Sequence, residues 1–309
     1  MKILLVFVYY SFYLLFPLLA VLIWQLGRNS KKSIELIIIL IAVLFLIWMR
    51  FIEPELIVVK NYNFKKSDEI GRELKVAVFS DIHLGVYSNK ALLEKVVNRI
   101  EKINPDIVLI PGDFIYFSSK EKISKDFNIL KDISAPTFAV LGNHDYGKNK
   151  RNVSRDLNSK LESLGILMID NKSKKIIINN GHKNVLEFIG VGDFWVGDPD
   201  YSVLEKDDLY EEADFTFLLT HNPDTAYTVK DLTGDNYKNI DLLIAGHTHA
   251  GQIRIPLLYN YIIPTKYNFD KGFYNISDLD VFVTPGIGTV ALPLRFLNFP
   301  EISVINIKY

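Results

Sequence analysis

Cysteine is absent from the 309 residues, which removes disulfides, thiolate zinc sites and thiol nucleophiles together. A basic excess is missing too. The 35 lysines and arginines face 36 acidic residues, for a net charge of -1, so the chain lacks the electrostatic footprint of a general nucleic-acid binder. There is no glycine-rich phosphate loop, no internal repeat and no low-complexity stretch. What remains is a chain with 49% hydrophobic residues, enough for one large core or two modest ones. Apolar residues crowd into the first fifty positions, and the charges fall almost entirely after them.

Residues 3–24 carry no charge and are long enough to cross a hydrocarbon core of about 30 Å as a helix. A second run, 36–49 (LIIILIAVLFLIWM), follows a polar GRNSKK turn and spans with help from snorkelling ends. The first run is longer than a signal-peptide core of about 7 to 15 residues, has no clear cleavage site and is followed by another apolar run, so a retained anchor is expected. Residues 1–52 are therefore read as a membrane hairpin with helices over 3–26 and 33–51, giving a multi-pass protein of a bacterial inner membrane. Residues 53–74 are read as a linker or leading strand, and 75–309 as the catalytic domain. Arg28, Lys31 and Lys32 in the turn stand against Lys2, Arg50, Lys60, Lys65 and Lys66 at the other end. The positive-inside rule is divided by these residues, and a cytoplasmic domain is the expectation taken forward.

From residue 75 the pattern becomes short apolar runs that end abruptly. KVAVFS meets DIH, DIVLI meets PGD, TFAVL meets GNHD, FTFLL meets THNPD, and DLLIA meets GHTHAGQ. Such runs, bounded by Gly, Pro, Asn or Asp, are the sequence form of buried strands. In layered α/β folds the loops beyond strand C-termini gather at one edge, so five separate motifs become one site. Residues 89–103 show a helical apolar period through Leu92, Val96, Val97, Ile100 and Ile103, and 120–130 and 152–164 read similarly.

Five of the six histidines fall at those strand ends, and only His182 stands apart, after Gly181. Taken singly, each motif is explained by turn or cap chemistry; five in succession are not. Oxygen and imidazole groups suit divalent ions such as manganese, iron or zinc, and one carboxylate can bridge two ions. A metal pair about 3.5–4 Å apart activates water and stabilises charge on a phosphoryl oxygen.

The ordered motifs Asp81-Ile82-His83, Gly112-Asp113, Gly142-Asn143-His144-Asp145, His221 and Gly246-His247-Thr248-His249 closely resemble the calcineurin-like metallophosphoesterase superfamily over about residues 75–309. The resemblance implies a two-sheet α/β sandwich flanked by helices, a four-layer αββα arrangement. It also implies two divalent metals, manganese by the family's example. Asp81, His83 and His249 would hold one, Asn143, His221 and His247 the other, and Asp113 would bridge them. His144 would be the catalytic non-ligand, oriented by Asp145.

The Ala250-Gly251-Gln252 extension, and the C-terminal stretch from Gly286-Ile287-Gly288 through Pro293, Arg295-Phe296 and Pro300-Glu301-Ile302, resemble a membrane-tethered branch. That branch includes UDP-2,3-diacylglucosamine pyrophosphatases of lipid A synthesis and other phosphodiesterases. Pro285 stands where the branch often carries an arginine. The expected function is hydrolysis of a phosphodiester or pyrophosphate, lipid-linked in the sharpest form. The alternatives are a broad phosphodiesterase or nuclease, and a catalytically silent membrane receptor or scaffold. The apolar run 255–264 (IPLLYNYIIP) has two readings, a surface that admits acyl chains or a buried strand and turn. Phe194 and Trp195 likewise suit either a pocket wall or the core.

Overall fold

The computed structural model describes residues 1–28, 33–66, 71–87, 90–146, 150–205 and 213–309. Positions 29–32 of the expected polar turn, 67–70 of the linker, and Asn89 lie outside the described residues. Two long apolar helices come first, α1 (Lys2–Arg28) and α2 (Ile34–Glu55), both long and apolar enough to cross a membrane. Only 6% and 22% of their most apolar windows are buried by the rest of the protein. That sets them apart from core helices, which are hydrophobic because protein surrounds them.

The strands in chain order are β1 (Val58–Lys65), β2 (Glu73–Val78), β3 (Leu84–Gly85), β4 (Ile107–Pro111), β5 (Ile115–Tyr116), β6 (Thr137–Val140) and β7 (Leu167–Met168). They continue with β8 (Lys172–Asn179), β9 (Lys183–Gly190), β10 (Phe215–Leu219), β11 (Leu242–Ala245), β12 (Gly272–Ile276), β13 (Leu279–Val283) and β14 (Glu301–Lys308). One six-stranded sheet runs β1-β14-β2-β4-β6-β7, and a second runs β12-β13-β11-β10-β9-β8. Strands β2, β4, β6 and β7 pair in parallel, as do β9, β10, β11 and β13. The antiparallel pairs lie at or near the margins, β14 on β2, β12 on β13 and β8 on β9. Val58–Lys65 forms the leading edge strand, parallel to β14.

Both faces of the central strands are covered, so these segments read as continuous apolar runs. Val76 and Val78 of β2 face the second sheet, meeting a layer that holds Phe188, Phe217 and Phe282. Phe138 stacks on Phe188 at 3.9 Å, and Phe188 on Phe217 at 5.1 Å. The alternate residues Ala77 and Phe79 face outward onto a helix layer. That layer holds α3 (Lys90–Ile103), α4 (Lys120–Asp126) and α5 (Lys150–Ser163). On the other side α6 (Thr225–Leu232) lays Ala226 and Val229 on Leu218, Leu243 and Val281. The result is the four-layer αββα sandwich with its helical preface. Parallel pairing puts the C-termini of β2, β4, β6, β10 and β11 along one edge.

Candidate metal centre

At that edge each strand breaks into a turn that carries a polar side chain. Asp81, His83, Asp113, His247 and His249 all take positive φ, between 48° and 70°. Non-glycine residues in this region cost about 1 kcal/mol or more each and persist only where the surroundings over-determine them. The loops are drawn together tightly enough that glycine is required between them. A β-carbon at Gly142 would collide with the Asp113 amide and carboxylate, and one at Gly286 would stand 2.7 Å from Asp81 Cβ.

The side chains converge across the two sheets. His83 Nε2 faces His249 Nε2 at 2.9 Å with the rings stacked, and Asp81 Oδ1 stands 3.3 Å from the latter and 4.0 Å from the former. Asp113 Oδ2 lies between two halves of the cluster, 3.6 Å from His83 Nε2 and 3.1 Å from His221 Nε2. His221 Nε2 is in turn 3.2 Å from His247 Nδ1. Two groups, Asp81–His83–His249 and Asp81–Asp113–His221, each bring their ligand atoms within 4.8 Å of one another. Asp81 Oδ1, Asp113 Oδ2 and Asn143 Oδ1 are buried acceptors without a donor. Unpaired buried oxygens are costly, and cations placed among them would satisfy all three.

Outer contacts hold these groups in place. His221 Nδ1 lies 2.7 Å from the Pro111 carbonyl; donating its proton there turns Nε2 toward the cluster as the atom for a metal to claim. Asp81 Oδ2 accepts from the His247 amide at 3.2 Å and from the Ser80 hydroxyl. Asp113 Oδ1 accepts from the His144 amide at 2.8 Å.

Burial dominates the electrostatics. It pushes Asp81 up to about 6 and His83 and His247 down to about 3; it also carries His249 well below the ordinary histidine range. Three imidazoles are thereby neutral and available as ligands. Burial also works against the charged forms of His221 and Asp113. Their mutual attraction overrides it, raising His221 to about 10 and holding Asp113 well below the usual carboxylate range.

His144 is half-buried, its ring 5.1 Å from that of His83 and 5.0 Å from that of Tyr116. It lines a cavity of about 480 Å³ together with Asp113, Asn143, His247 and His249. Asp145 sits elsewhere than the orienting role implied: its Oδ1 accepts from the Ile115 amide at 2.9 Å and its Oδ2 from the Gly142 amide at 2.8 Å. Its carboxylate ties two site loops together through their backbones. His182 is exposed at the hairpin between β8 and β9, far along the strands from the cluster.

These features match a known family. The calcineurin-like phosphoesterase family model covers residues 74–251. The chain belongs to that family. It is 30% identical to the metallophosphoesterase YkuE of Bacillus subtilis (strain 168), over 84% of this chain and 89% of the relative. It is 26% identical to the phosphodiesterase YaeI of Escherichia coli (strain K12), over 84% and 92%. A transmembrane protein with metallophosphoesterase domain from Danio rerio is 28% identical over 91% of this chain, which spans 64% of that protein's length. Their names go no finer than metallophosphoesterase and phosphodiesterase. The family and the Asp/His cluster together identify a metal-dependent phosphoesterase with a site suited to two divalent ions. The apolar helices and the transmembrane relative support membrane association.

Several contributors were invisible to motif reading. Asp193, at the end of β9, is buried; its Oδ2 accepts from the amides of Trp195 and Val196, both at 2.9 Å. This turn holds Trp195 edge-on to His247 at 4.3 Å, half exposed, which makes Trp195 a cavity wall and not core. Arg295 is fully buried and donates to the carbonyls of Gly286, Gly288 and Asn298. It braces the turn whose Gly288 amide bonds the Asp81 carbonyl at 2.7 Å. Glu53, at the end of α2, accepts from Trp48 Nε1 and from the Asn298 amide, and Asn298 Nδ2 donates to the His249 carbonyl at 2.6 Å. The sequence signals were the C-terminal pattern for Arg295 and the aromatic pair Phe194-Trp195 for the cavity wall; Asp193 and Glu53 had none. The run 255–264 is no buried strand: Ile255, Leu257, Leu258, Tyr261 and Ile262 are exposed around one short helical turn, Tyr259–Tyr261.

Proposed function

We propose that the chain is a membrane-tethered hydrolase of phosphodiester or pyrophosphate bonds, acting in its sharpest form on an amphiphilic, lipid-linked substrate. Asp81, His83 and His249 hold one divalent ion, and Asn143, His221 and His247 the second. Asp113 bridges them, with manganese the expected metal. The observation that carries this reading is the set of three donor-less buried oxygens among imidazoles held neutral by burial. Two ions bound there would act as Lewis acids toward the phosphoryl oxygens and supply a nucleophile from water at neutral pH.

The chain's own residues do the rest. His144 is the cluster imidazole outside the proposed ligand set, and it faces the cavity with its backbone fixed by Asp113. From there it hydrogen-bonds a phosphoryl oxygen and delivers a proton to the departing alkoxide. Asp145 acts through the backbone of that loop. Ile253, Ile262, Val290 and Leu292 give the cavity an apolar wall, which favours a substrate with hydrocarbon next to its phosphate.

The test is a panel of bis-p-nitrophenyl phosphate, UDP-2,3-diacylglucosamine, a phospholipid diester and single-stranded DNA, offered to metal-free and manganese-loaded protein. Metal-dependent cleavage of the diesters is expected, with His144→Ala retaining its metals and losing turnover. Full activity in both His144→Ala and Asp113→Ala would sink the site assignment, and turnover of DNA alone would overturn the lipid reading. The domain is proposed to face the cytoplasm of a bacterial inner membrane, and a reporter fused after Tyr309 reads the side.

A further inference from the structure

The helices fix depths along the molecule. Tyr13 and Phe16 of α1 meet Phe51 of α2, with ring centroids at 5.2 and 5.1 Å, so the end of α2 is level with the middle of α1. The residues of α1 before Tyr13 therefore reach about 18 Å beyond the level of Phe51 and about 12 Å beyond the end of α2 at Glu55, at 1.5 Å per residue. They run beside the catalytic domain. Tyr9 stacks on Tyr87 at 5.5 Å, and Met1 and Lys2 line a cavity of about 350 Å³ that they share with Tyr116, Asn143 and His144. Along this stretch Ile3, Leu4, Phe7 and Tyr10 face outward, 62% to 86% exposed.

On the other side of the site, the domain reaches α2 well before that helix ends. Phe296 meets Phe45 at 4.8 Å, and Phe45 lies about 10 Å of helix below Ile52. Phe296 pairs with the segment leaving the His249 turn: the Arg254 amide donates to its carbonyl at 2.8 Å, and its own amide donates to Gln252 at 3.1 Å. The exposed residues Ile255, Leu257, Leu258, Tyr261 and Ile262 follow directly, and Ile262 also lines the catalytic cavity.

Two apolar surfaces thus flank one catalytic mouth, and each is continuous with a helix apolar enough to cross a bilayer. We propose that the loop 255–262, tied through Phe296 to α2 below that helix's end, is the rim of the site that seats in the interfacial layer of the membrane that holds the helices. The substrate's phosphate then enters the site from the bilayer surface. That placement removes the loop's apolar side chains from water, whereas a domain held clear of the membrane leaves them exposed. The occupant is the lipid surface because the loop is tied through Phe296 to Phe45, on a helix whose own outward face is apolar. The delivery of substrate rests on the tethered-phosphodiesterase reading; the position of the rim does not.

The natural absence of cysteine makes the test direct. Leu257→Cys and Tyr261→Cys, with His182→Cys at the opposite end of the sandwich as control, are labelled with a nitrobenzoxadiazole probe. The full chain is reconstituted in phosphatidylcholine–phosphatidylglycerol vesicles. Rim probes should emit blue-shifted light, be quenched by spin-labelled lipid and escape aqueous iodide, while the control shows the reverse. The proposal is overturned if the 257 and 261 probes are quenched by iodide as strongly as the control, or are shielded from both quenchers, as a second protein surface would shield them. Leu258→Cys repeats the loop measurement should either variant fold poorly. Each sample is also assayed on bis-p-nitrophenyl phosphate, so a chain that inserts its rim yet cleaves no diester keeps this inference and sinks the functional one.

Discussion

The layer between the two sheets and the edge where their strands end are built from the same chain segments and obey opposite rules. Between the sheets, Val76, Phe138, Phe188 and Phe217 alternate regularly, lie fully buried and make only apolar contacts. A few residues further on, the edge holds five side chains on left-handed backbone and three buried oxygens without donors. The interior supplies the stability that the edge consumes, and the short reach from one to the other is what fixes the site's geometry. Stability and activity should therefore separate cleanly by mutation.

The sharpest break is Asp113→Ala. Removing the proposed bridging carboxylate should lower diester turnover by about 10³-fold or more, since a metal pair contributes several kcal/mol to charge stabilisation. The metal-free protein should keep its melting temperature, because a buried charge leaves with the side chain; His221 then loses its main partner and becomes neutral. A large fall in melting temperature in EDTA would show that the edge is part of the stabilising core. Phe188→Ala is the converse. Loss of the ring between Phe138 and Phe217 should cost about 3–5 kcal/mol in denaturant unfolding. Below the transition, metal content measured by atomic spectroscopy should be unchanged.

Acidity separates the regions without mutation, since the sheet-to-sheet layer does not titrate. At pH 7.5 Asp81, near 6, is ionised, and His83 and His247, near 3, are neutral. His221, raised to about 10, still carries its proton. A raised folded value means that the His221 imidazolium stabilises the metal-free fold fully below about pH 6.5, and that this support is lost as pH rises through about 10. Metal must displace the same proton, so the sign for binding is opposite. Metal affinity should rise about tenfold per pH unit across this window, with about one proton released per chain at pH 7.5. Calorimetry in buffers of different ionisation enthalpy counts that proton, and a pH-independent affinity would remove His221 from the ligand set.

The strand-end residues were legible because a buried strand and a functional turn each leave a mark, and the junction between them leaves a third. Val76 through Phe79 could only be an interior strand, and Asp81 had to follow it. Loop 255–264 was ambiguous for the complementary reason: an apolar run has the same composition whether protein or lipid covers it. For Asp145, proximity in sequence to His144 says nothing about direction. Its carboxylate turns back onto the amides of Gly142 and Ile115. Glu53 and Asp193 carry no motif, and the C-terminal pattern that includes Arg295 did not give its role; what makes them matter is contact with distant chain, up to 245 positions away between Glu53 and Asn298.

The smallest expected effect tests whether the edge is supported from the membrane side as well as from the core. Glu53 closes α2 with its carboxylate buried, one oxygen on Trp48 and the other on the Asn298 amide, and Asn298 passes the connection to the His249 carbonyl. His249 has left-handed backbone at a φ of 48° and no regular strand to hold it, so the Asn298 bond and the Gln252 amide's bond to the same carbonyl at 2.8 Å fix the peptide that aims its imidazole. Asn298→Ala keeps the backbone amide that Glu53 uses and removes the donor to His249, together with an oxygen that accepts from Lys271 at 3.2 Å. Contacts of this outer kind change metal affinity by about 10- to 100-fold when lost. Because the His249 side chain itself remains, the lower figure, about 10-fold, is expected here, with activity restored by excess manganese. Asn298→Asp, which keeps the shape but offers no donor in its ionised form, should behave like the alanine variant. If both variants bind metal as tightly as the parent, the link from α2 to the site is only packing, and the edge depends on the sandwich alone.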